Sequence, residues 1–167
     1  MSPIQRLGIL SDTHIKTLSP ELVEVLKTTF GDCPRLLHAG DVVHPSVLEE
    51  LEAHGWEVVA VRGNMDLHPG LGTLPHSRVV KVGELQVGLC HGGGSPARIL
   101  DRVLEQFLPT PPPLIVYGHT HEAADRLHRG VRFINPGSPT DKRWADHHTV
   151  GRLTVEGTEA HFEVVRL

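Results

Sequence analysis

The stretch RLGILSDTHIKTLSPELVEVLKTTFGDCPRLLHAGD, residues 6–41, predicts a strand, a helix and a second strand. Residues 6–10 form a short apolar run typical of a buried strand. The Ser-Pro pair at 19–20 supplies a helix N-cap and a proline at the first helical position, and Gly31 ends the helical pattern. Residues 35–39 are a second apolar run. This order predicts parallel strands joined by a crossover helix.

The same alternation continues and then gives way to strands. A second helix is predicted from Pro45 to Gly55, followed by a strand at Glu57 to Val61, and Ser95-Pro96 opens a third helix that runs to Phe107. The later strand patterns cover Arg78 to Val82, Leu85 to Cys90, Leu114 to Tyr117, Asp125 to His128, Val131 to Ile134, Thr149 to Val155 and Ala160 to Leu167. An α/β beginning and a β-rich end predict two packed sheets flanked by helices, in a single domain over residues 1–167.

Composition restricts the classes of partner. The formal net charge of -4 over 167 residues argues against a broad face for extended nucleic acid. No apolar run approaches the roughly 20 residues that span a bilayer, and no signal peptide is recognised, so no membrane partner is expected. The two cysteines are expected to be free buried thiols, and the expected location is the cytoplasm.

Polar residues of metal-ligand type follow nearly every predicted strand. They are Asp12, His14, Asp41, Asn64, His91, His119 and His121. The carboxyl ends of strands in open α/β sheets are where ligands gather. An isolated histidine at such a place is usually solvated, but the ordered set of oxygen and imidazole donors is specific. It predicts a site for two neighbouring divalent cations, and therefore metal-assisted hydrolysis.

The charges of this predicted site suit a phosphate ester. Asp41 has two carboxylate oxygens and can bridge two cations about 3.5–4 Å apart. With Asp12 as the second carboxylate and a bridging hydroxide, the centre keeps a net positive charge, which stabilises the charge that grows on phosphate in the transition state. The mixed nitrogen and oxygen donors, without a thiolate, favour Mn, Fe, Co, Ni or Zn.

The motif series D-x-H, G-D, G-N, H-G and G-H-T-H, followed by Asn-Pro-Gly-Ser at 135–138, resembles the calcineurin-like metallophosphoesterase superfamily. The chain is also similar in length to its small bacterial and archaeal phosphodiesterase subfamily. The resemblance implies a four-layer α/β/β/α sandwich of two mixed β-sheets flanked by helices. It implies two divalent transition metals, Mn foremost with Ni, Co, Fe or Zn as alternatives, and attack on phosphorus by a metal-bound hydroxide.

The resemblance also assigns the ligands to two sites. One metal would be held by Asp12, His14, Asp41 and His121. The other would be held by Asp41, Asn64, His91 and His119, so that Asp41 is shared.

One position departs from the pattern of the superfamily. Where many members have a histidine that assists the leaving group, this chain has Met65, which cannot donate a proton. The neighbouring Asp66 is a candidate general acid, and its alternative role is a turn residue that contacts backbone.

Candidate substrate contacts are Thr13, Arg62, Gly92 and Arg143, with Arg98 and Ser138 as further options. The substrate expected is a small phosphodiester, with a nucleotide-derived compound as one option. A phosphomonoesterase, a dinucleoside-polyphosphate hydrolase and a non-catalytic interaction scaffold on the same fold are the alternatives. The complete set of ligand types favours the enzyme. The sequence leaves the oligomeric state open, including a homo-oligomer.

Overall fold

The computed structural model describes residues 2–167, and its elements follow the predicted order. They are β1 (Gln5–Leu10), α1 (Pro20–Phe30), β2 (Arg35–His38), α2 (Pro45–Ala53), β3 (Glu57–Ala60), a 3-10 turn (Pro69–Leu71), β4 (Ser77–Val82), β5 (Leu85–Cys90), α3 (Ile99–Glu105), β6 (Leu114–Val116), β7 (Ala123–His128), β8 (Val131–Pro136), β9 (Thr149–Glu156) and β10 (Glu159–Arg166). None of the helices among these residues is long and apolar enough to cross a membrane.

The strands form two mixed five-stranded sheets. The first has the order β10-β9-β1-β2-β3, in which β1, β2 and β3 are parallel and β9 runs antiparallel beside β1. The second has the order β4-β5-β6-β8-β7, with β5, β6 and β8 parallel and an antiparallel strand at each edge. The first half of the chain therefore supplies the parallel strands of one sheet, and its end returns to complete that sheet.

Three clusters of buried apolar side chains lie between the four layers. One lies between the sheets and includes Ile9, Leu37 and Leu89. A second packs α1 and α2 on the outer face of the first sheet, and a third packs α3 on the outer face of the second. Alternation along β1 explains the division, because successive side chains of a strand point to opposite faces. The predicted α/β/β/α sandwich is confirmed.

Glycine at position 8 permits the close packing of α1 on the first sheet. A Cβ atom there would lie 2.4 Å from Leu36 Cδ2 and 2.9 Å from Phe30 Cδ1, both of which are fully buried. The predicted cap of α1 is also present, since the Ser19 side chain accepts a hydrogen bond from the backbone N–H of Leu22.

The predicted start of the third helix is wrong. Ser95-Pro96 does not open it; α3 begins at Ile99, after Arg98 in a left-handed conformation with φ 61°. The preceding glycine-rich segment, residues 92–98, forms a loop instead. The backbone carbonyl of Gly94 in this loop lies 2.8 Å from His119 Nε2.

Candidate metal centre

The seven predicted ligands all lie just beyond the carboxyl ends of parallel strands. Those on the first sheet follow β1, β2 and β3, and those on the second follow β5 and β6. The two sheets therefore present their strand ends to one another across the site. This placement brings together residues that are up to 109 positions apart, as the contacts of Asp12 with His121 illustrate.

The first group of side chains surrounds one oxygen of Asp12. Its Oδ1 atom lies 3.2 Å from His121 Nε2 and 3.6 Å from His14 Nε2. The two imidazole nitrogens are 3.2 Å apart. His14 Nε2 also lies 3.3 Å from Asp41 Oδ2. Asp12, His14 and His121 can thus direct ligand atoms at one point.

The second group shares Asp41 with the first. Asp41 Oδ2 lies 3.2 Å from His91 Nε2, which is 3.1 Å from Asn64 Oδ1. The same Asn64 oxygen lies 3.1 Å from His119 Nδ1. One oxygen of Asp41 therefore faces a histidine of each group, which is the position required of a bridging ligand.

The second carboxylate oxygen of Asp12 and that of Asp41 accept hydrogen bonds from other groups of the protein. Asp12 Oδ2 accepts hydrogen bonds from Ser11 Oγ (2.6 Å) and from the backbone N–H of His119 (3.0 Å). Asp41 Oδ1 accepts one from the backbone N–H of Met65 (2.8 Å). These bonds fix each carboxylate with its other oxygen directed into the site.

Asp12 Oδ1 departs from the usual pairing of buried polar atoms, as does His148 Nδ1. The Asp12 oxygen is buried and has no hydrogen-bond partner. A buried acceptor that stays unsatisfied costs free energy, so buried polar atoms usually have a partner. Three imidazole Nε2 atoms surround this oxygen at 3.2–3.8 Å. A divalent cation bound among these donors would satisfy the carboxylate and use the imidazoles as ligands, so the residues present fit a metal ion.

Backbone carbonyls orient three of the imidazoles. The acceptors are Ala39 O for His91 Nδ1 (2.8 Å), Gly94 O for His119 Nε2 (2.8 Å) and Asp141 O for His121 Nδ1 (2.5 Å). Because a carbonyl only accepts, each contacting nitrogen carries the proton and the opposite nitrogen is free to bind a metal. These partners cannot be predicted from the sequence, because backbone atoms carry no residue-type signal.

The Asn-Pro-Gly-Ser segment supports the same loops from a third direction. Asn135 donates from Nδ2 to the carbonyl of Gly118 (3.0 Å), and Ser138 donates from Oγ to the carbonyl of Asp12 (2.7 Å). Both side chains are fully buried. In the sequence this segment only strengthened a resemblance; in the structure it fixes the backbone on either side of the first group.

The two carboxylates and His14 shift one another's titration. Burial raises the pKa of Asp12, but the imidazoles of His121 and His14 outweigh it and hold that pKa well below its usual range. Burial likewise raises the pKa of Asp41, and hydrogen bonds with His14 and His91 reverse the effect. Burial lowers the pKa of His14, yet its contacts with Asp12 and Asp41 raise it to about 9. Without a cation, a protonated imidazole partly neutralises the carboxylates.

Five ligands have a backbone conformation that residues other than glycine rarely adopt. The φ angles are 55° at Asp12, 45° at His14, 56° at Asp41, 69° at His119 and 61° at His121. Such residues cost about 1–3 kcal/mol each and persist where their surroundings enforce them, typically at functional sites. The strain is concentrated in the loops that carry the donor atoms.

Glycines next to the ligands allow the strand ends to approach. A Cβ atom at Gly118 would lie 1.9 Å from Ser11 Oγ and 2.7 Å from Asp12 Oδ2. One at Gly63 would lie 2.1 Å from Asp41 Oδ1. The glycines of the Gly-His and Gly-Asn motifs are therefore required by space, as their position before each ligand predicts.

Comparison with known proteins agrees with this geometry. A family model described as the calcineurin-like phosphoesterase superfamily domain matches residues 6–158. The chain belongs to the calcineurin-like phosphoesterase superfamily. The resemblance drawn from the motif series is thereby confirmed.

Individual proteins of known sequence or structure align with most of this chain. A probable metallophosphoesterase of Methanothermobacter thermautotrophicus is 36% identical over 160 residues, covering 96% of this chain and 91% of the relative. A phosphodiesterase of Methanocaldococcus jannaschii is 27% identical over 145 residues, with 79% and 82% covered. The solved structure of vacuolar protein sorting 29 from Cryptosporidium parvum has a TM-score of 0.78 at 23% identity, covers 98% of this chain and 92% of its own, and shows the likeness of fold alone.

Asp66 has the backbone contacts expected of its alternative role. It is fully buried, and its carboxylate accepts hydrogen bonds from the backbone N–H groups of Val43 (2.6 Å), Gly63 (2.7 Å) and Asp41 (3.0 Å). These three donors occupy both oxygens of the carboxylate. Asp66 therefore positions the loops that carry Asp41 and Asn64, in agreement with its alternative role as a backbone contact.

The predicted substrate contacts divide into two kinds. Thr13 is 2% exposed, and its Oγ1 atom lies 3.2 Å from Nε2 of the buried His38. Arg62 and Gly92 line a cleft of about 410 Å³ that also includes Asn64 and His91. Arg62 and Gly92 therefore lie next to Asn64 and His91 of the second group.

Arg143 is exposed and lies next to the predicted ligand His119. Its Nη1 atom contacts the backbone carbonyl of His119 at 3.5 Å. Of the further options, Arg98 pairs with Asp101 on the surface, and Ser138 is fully buried. Arg143 is therefore a second cationic candidate, besides Arg62, that lies beside predicted metal ligands.

Proposed function

We propose that this protein is a phosphodiesterase that depends on two divalent metal ions, Mn foremost, and acts on small phosphodiesters. The observation that carries the proposal is the buried, unpartnered Oδ1 atom of Asp12 among three imidazole nitrogens. A cation suits such an environment, whereas a merely structural cluster would pair this oxygen.

The ligands would divide between the ions as the superfamily motifs imply. Asp12, His14 and His121 would hold one ion, and Asn64, His91 and His119 the other. Asp41 would bridge them, because its Oδ2 atom lies at 3.2–3.3 Å from a histidine of each group. When bound, such ions act as Lewis acids on phosphate and lower the pKa of water so that it can attack phosphorus.

The chain supplies substrate positioning around that centre. Arg143 places a guanidinium above His119, and Arg62 faces the cleft beside Asn64. Both can bind non-bridging phosphate oxygens. Gly92, with φ 91°, lines the same cleft and lets a phosphate approach the backbone.

The leaving group is the basis for preferring diesters. Met65 has no proton to donate, and both carboxylate oxygens of Asp66 accept backbone hydrogen bonds, so esters with good leaving groups are favoured. The phosphodiesterase name of the Methanocaldococcus relative supports the same class. The phosphomonoesterase alternative requires a proton donor that these two positions do not provide.

Hydrolysis assays with separate metals test this function. Protein stripped with chelator and reloaded with Mn, Ni, Co, Mg or Zn is expected to hydrolyse bis(p-nitrophenyl) phosphate faster than p-nitrophenyl phosphate. Turnover that no metal stimulates contradicts the proposal, and a clear preference for the monoester replaces it with the phosphomonoesterase.

Variants of the second group locate the activity. Asn64→Ala and His91→Ala are each expected to lower kcat/KM by about 100-fold or more, because loss of one ion removes several kcal/mol of charge stabilisation. His161→Ala is the matched control, since His161 is exposed on β10 and lies outside both ligand groups. An equal loss in all three variants would exclude a specific role for the two ligands.

A further inference from the structure

A cavity of about 530 Å³ reaches the loop that carries two of the predicted metal ligands. It is lined by Thr120, which lies between His119 and His121 in the chain. Pro96 of the glycine-rich loop and Trp144 also line it. Its volume is within the usual range for a small-molecule site. A molecule in this cavity would therefore be next to the ligands while part of it rests on other residues.

Trp144 is the most exposed large apolar side chain among residues 2–167, at 98%. It does not lie on a loose end of chain. Three residues before it, the carbonyl of Asp141 contacts His121 Nδ1, and the backbone N–H of Ala145 donates to the carbonyl of Lys142 at 2.8 Å. A turn fixed to a ligand of the centre thus holds an uncovered aromatic ring at the cavity.

The polar lining of this cavity carries groups of both charges. Glu122 and Asp146 contribute carboxylates, Arg166 contributes a guanidinium and His147 an imidazole. The same carboxylates accept hydrogen bonds from hydroxyl and amino groups. An aromatic wall combined with acceptors of this kind matches a nucleoside, in which a planar base is attached to a sugar with hydroxyl groups.

We infer that this cavity binds a nucleoside arm of the phosphodiester substrate, with the base stacked on Trp144 and the phosphate directed to the metal ligands. Arg143, adjacent to Trp144 and in contact with the carbonyl of His119, stands between the two parts of such a substrate. This inference rests on the proposed function for the phosphate part. The nucleoside part can be tested without turnover.

Binding of adenosine and uridine to chelator-treated protein is the direct test. Both are expected to quench tryptophan fluorescence, because Trp144 is exposed, whereas Trp56 is 8% exposed and its emission should not change. Ribose, which lacks the base, should not quench. Affinities from NMR titration should fall about 5- to 150-fold in Trp144→Ala, the range measured when stacking partners of bases are truncated.

Two variants control for that effect. Trp144→Phe keeps an aromatic face and should bind adenosine nearly as well as the unaltered protein. Leu127→Ala removes another large exposed apolar side chain, 78% exposed on β7, and should leave adenosine binding unchanged. Equal affinity of Trp144→Ala and the unaltered protein for adenosine, or no binding of either nucleoside, overturns the inference.

Kinetics separate this inference from the proposed function. A thymidine 5′-(p-nitrophenyl phosphate) and methyl p-nitrophenyl phosphate share a leaving group and differ in the arm that is retained. The nucleoside ester should have the lower KM, and Trp144→Ala should reduce that preference about 5- to 150-fold. Turnover of both esters without any preference overturns the nucleoside site alone. Adenosine binding that requires Trp144, without turnover of either ester, overturns the phosphodiesterase alone.

Discussion

At the scale of single residues, the two oxygens of Asp12 have different roles. Oδ2 accepts hydrogen bonds from Ser11 and from the backbone of His119, while Oδ1 is buried without a hydrogen-bond partner. Residue type and position predicted Asp12 as a ligand. They did not predict which oxygen is free, because that depends on a hydroxyl and on a backbone amide that lies 107 residues away.

Asp66 gives a prediction that separates a positioning role from a catalytic one. The carboxylate of Asp66 accepts three backbone hydrogen bonds. In Asp66→Asn the side-chain amide group, which can only donate, would face at least one of these backbone N–H donors. The free energy of unfolding of metal-free protein should fall by about 1.5–3 kcal/mol, as measured by urea denaturation. Glu105→Gln, on an exposed side chain of α3, is the matched control and should have little effect. Unchanged stability of Asp66→Asn would refute the positioning role.

His14 gives a prediction about pH. In metal-free protein its pKa is raised to about 9, so its stabilising contribution is complete below about pH 6.5 and is lost as the pH rises through 9. A metal ion must displace this proton, so Mn affinity should increase with pH over the same interval. Calorimetric titrations at pH 7.5 in buffers of different ionisation enthalpy should show proton release, reduced in His14→Gln. Binding without any proton release would contradict the raised pKa.

At the scale of elements, strand ends and the glycines that follow them assemble the site. The predicted strands and the first two helices are observed with small shifts of their bounds, because apolar runs, caps and turn glycines are local signals. The start of α3 was wrong because Ser95-Pro96 has the local pattern of a helix start, while the contact of Gly94 with His119 is tertiary. The roles of the Ala39, Gly94 and Asp141 carbonyls were unpredictable for the same reason.

Gly118 tests this assembly directly. Gly118→Ala would place a Cβ atom 1.9 Å from Ser11 Oγ, so β1 and the loop after β6 must separate and move His119 away from Asn64. We expect the metal affinity and the rate of hydrolysis each to fall about 100-fold, as happens when the hydrogen-bond partners that orient metal ligands are lost. Gly93→Ala is the control, because nothing lies within 4 Å of its Cβ position. Similar metal content in the two variants would contradict the spatial requirement.

At the scale of the whole molecule, the centre joins the two sheets. Asp12, His14, Asp41 and Asn64 follow strands of the first sheet, and the other three ligands follow strands of the second. Sequence patterns predicted two packed sheets, but not that β9 pairs with β1 or that β8 pairs with β6. Such pairings join distant parts of the chain, and local periodicity carries no information about them.

The central claim is that these strand ends form one centre for two metal ions bridged by Asp41. The most direct measurement is anomalous diffraction, at the Mn edge, from crystals of protein loaded with Mn. Two peaks are expected about 3.5–4 Å apart, one beside His14 and His121 and the other beside His91 and His119, with Asp41 Oδ2 between them. A single peak, or Mn bound only away from Asp12 and Asp41, would contradict the claim.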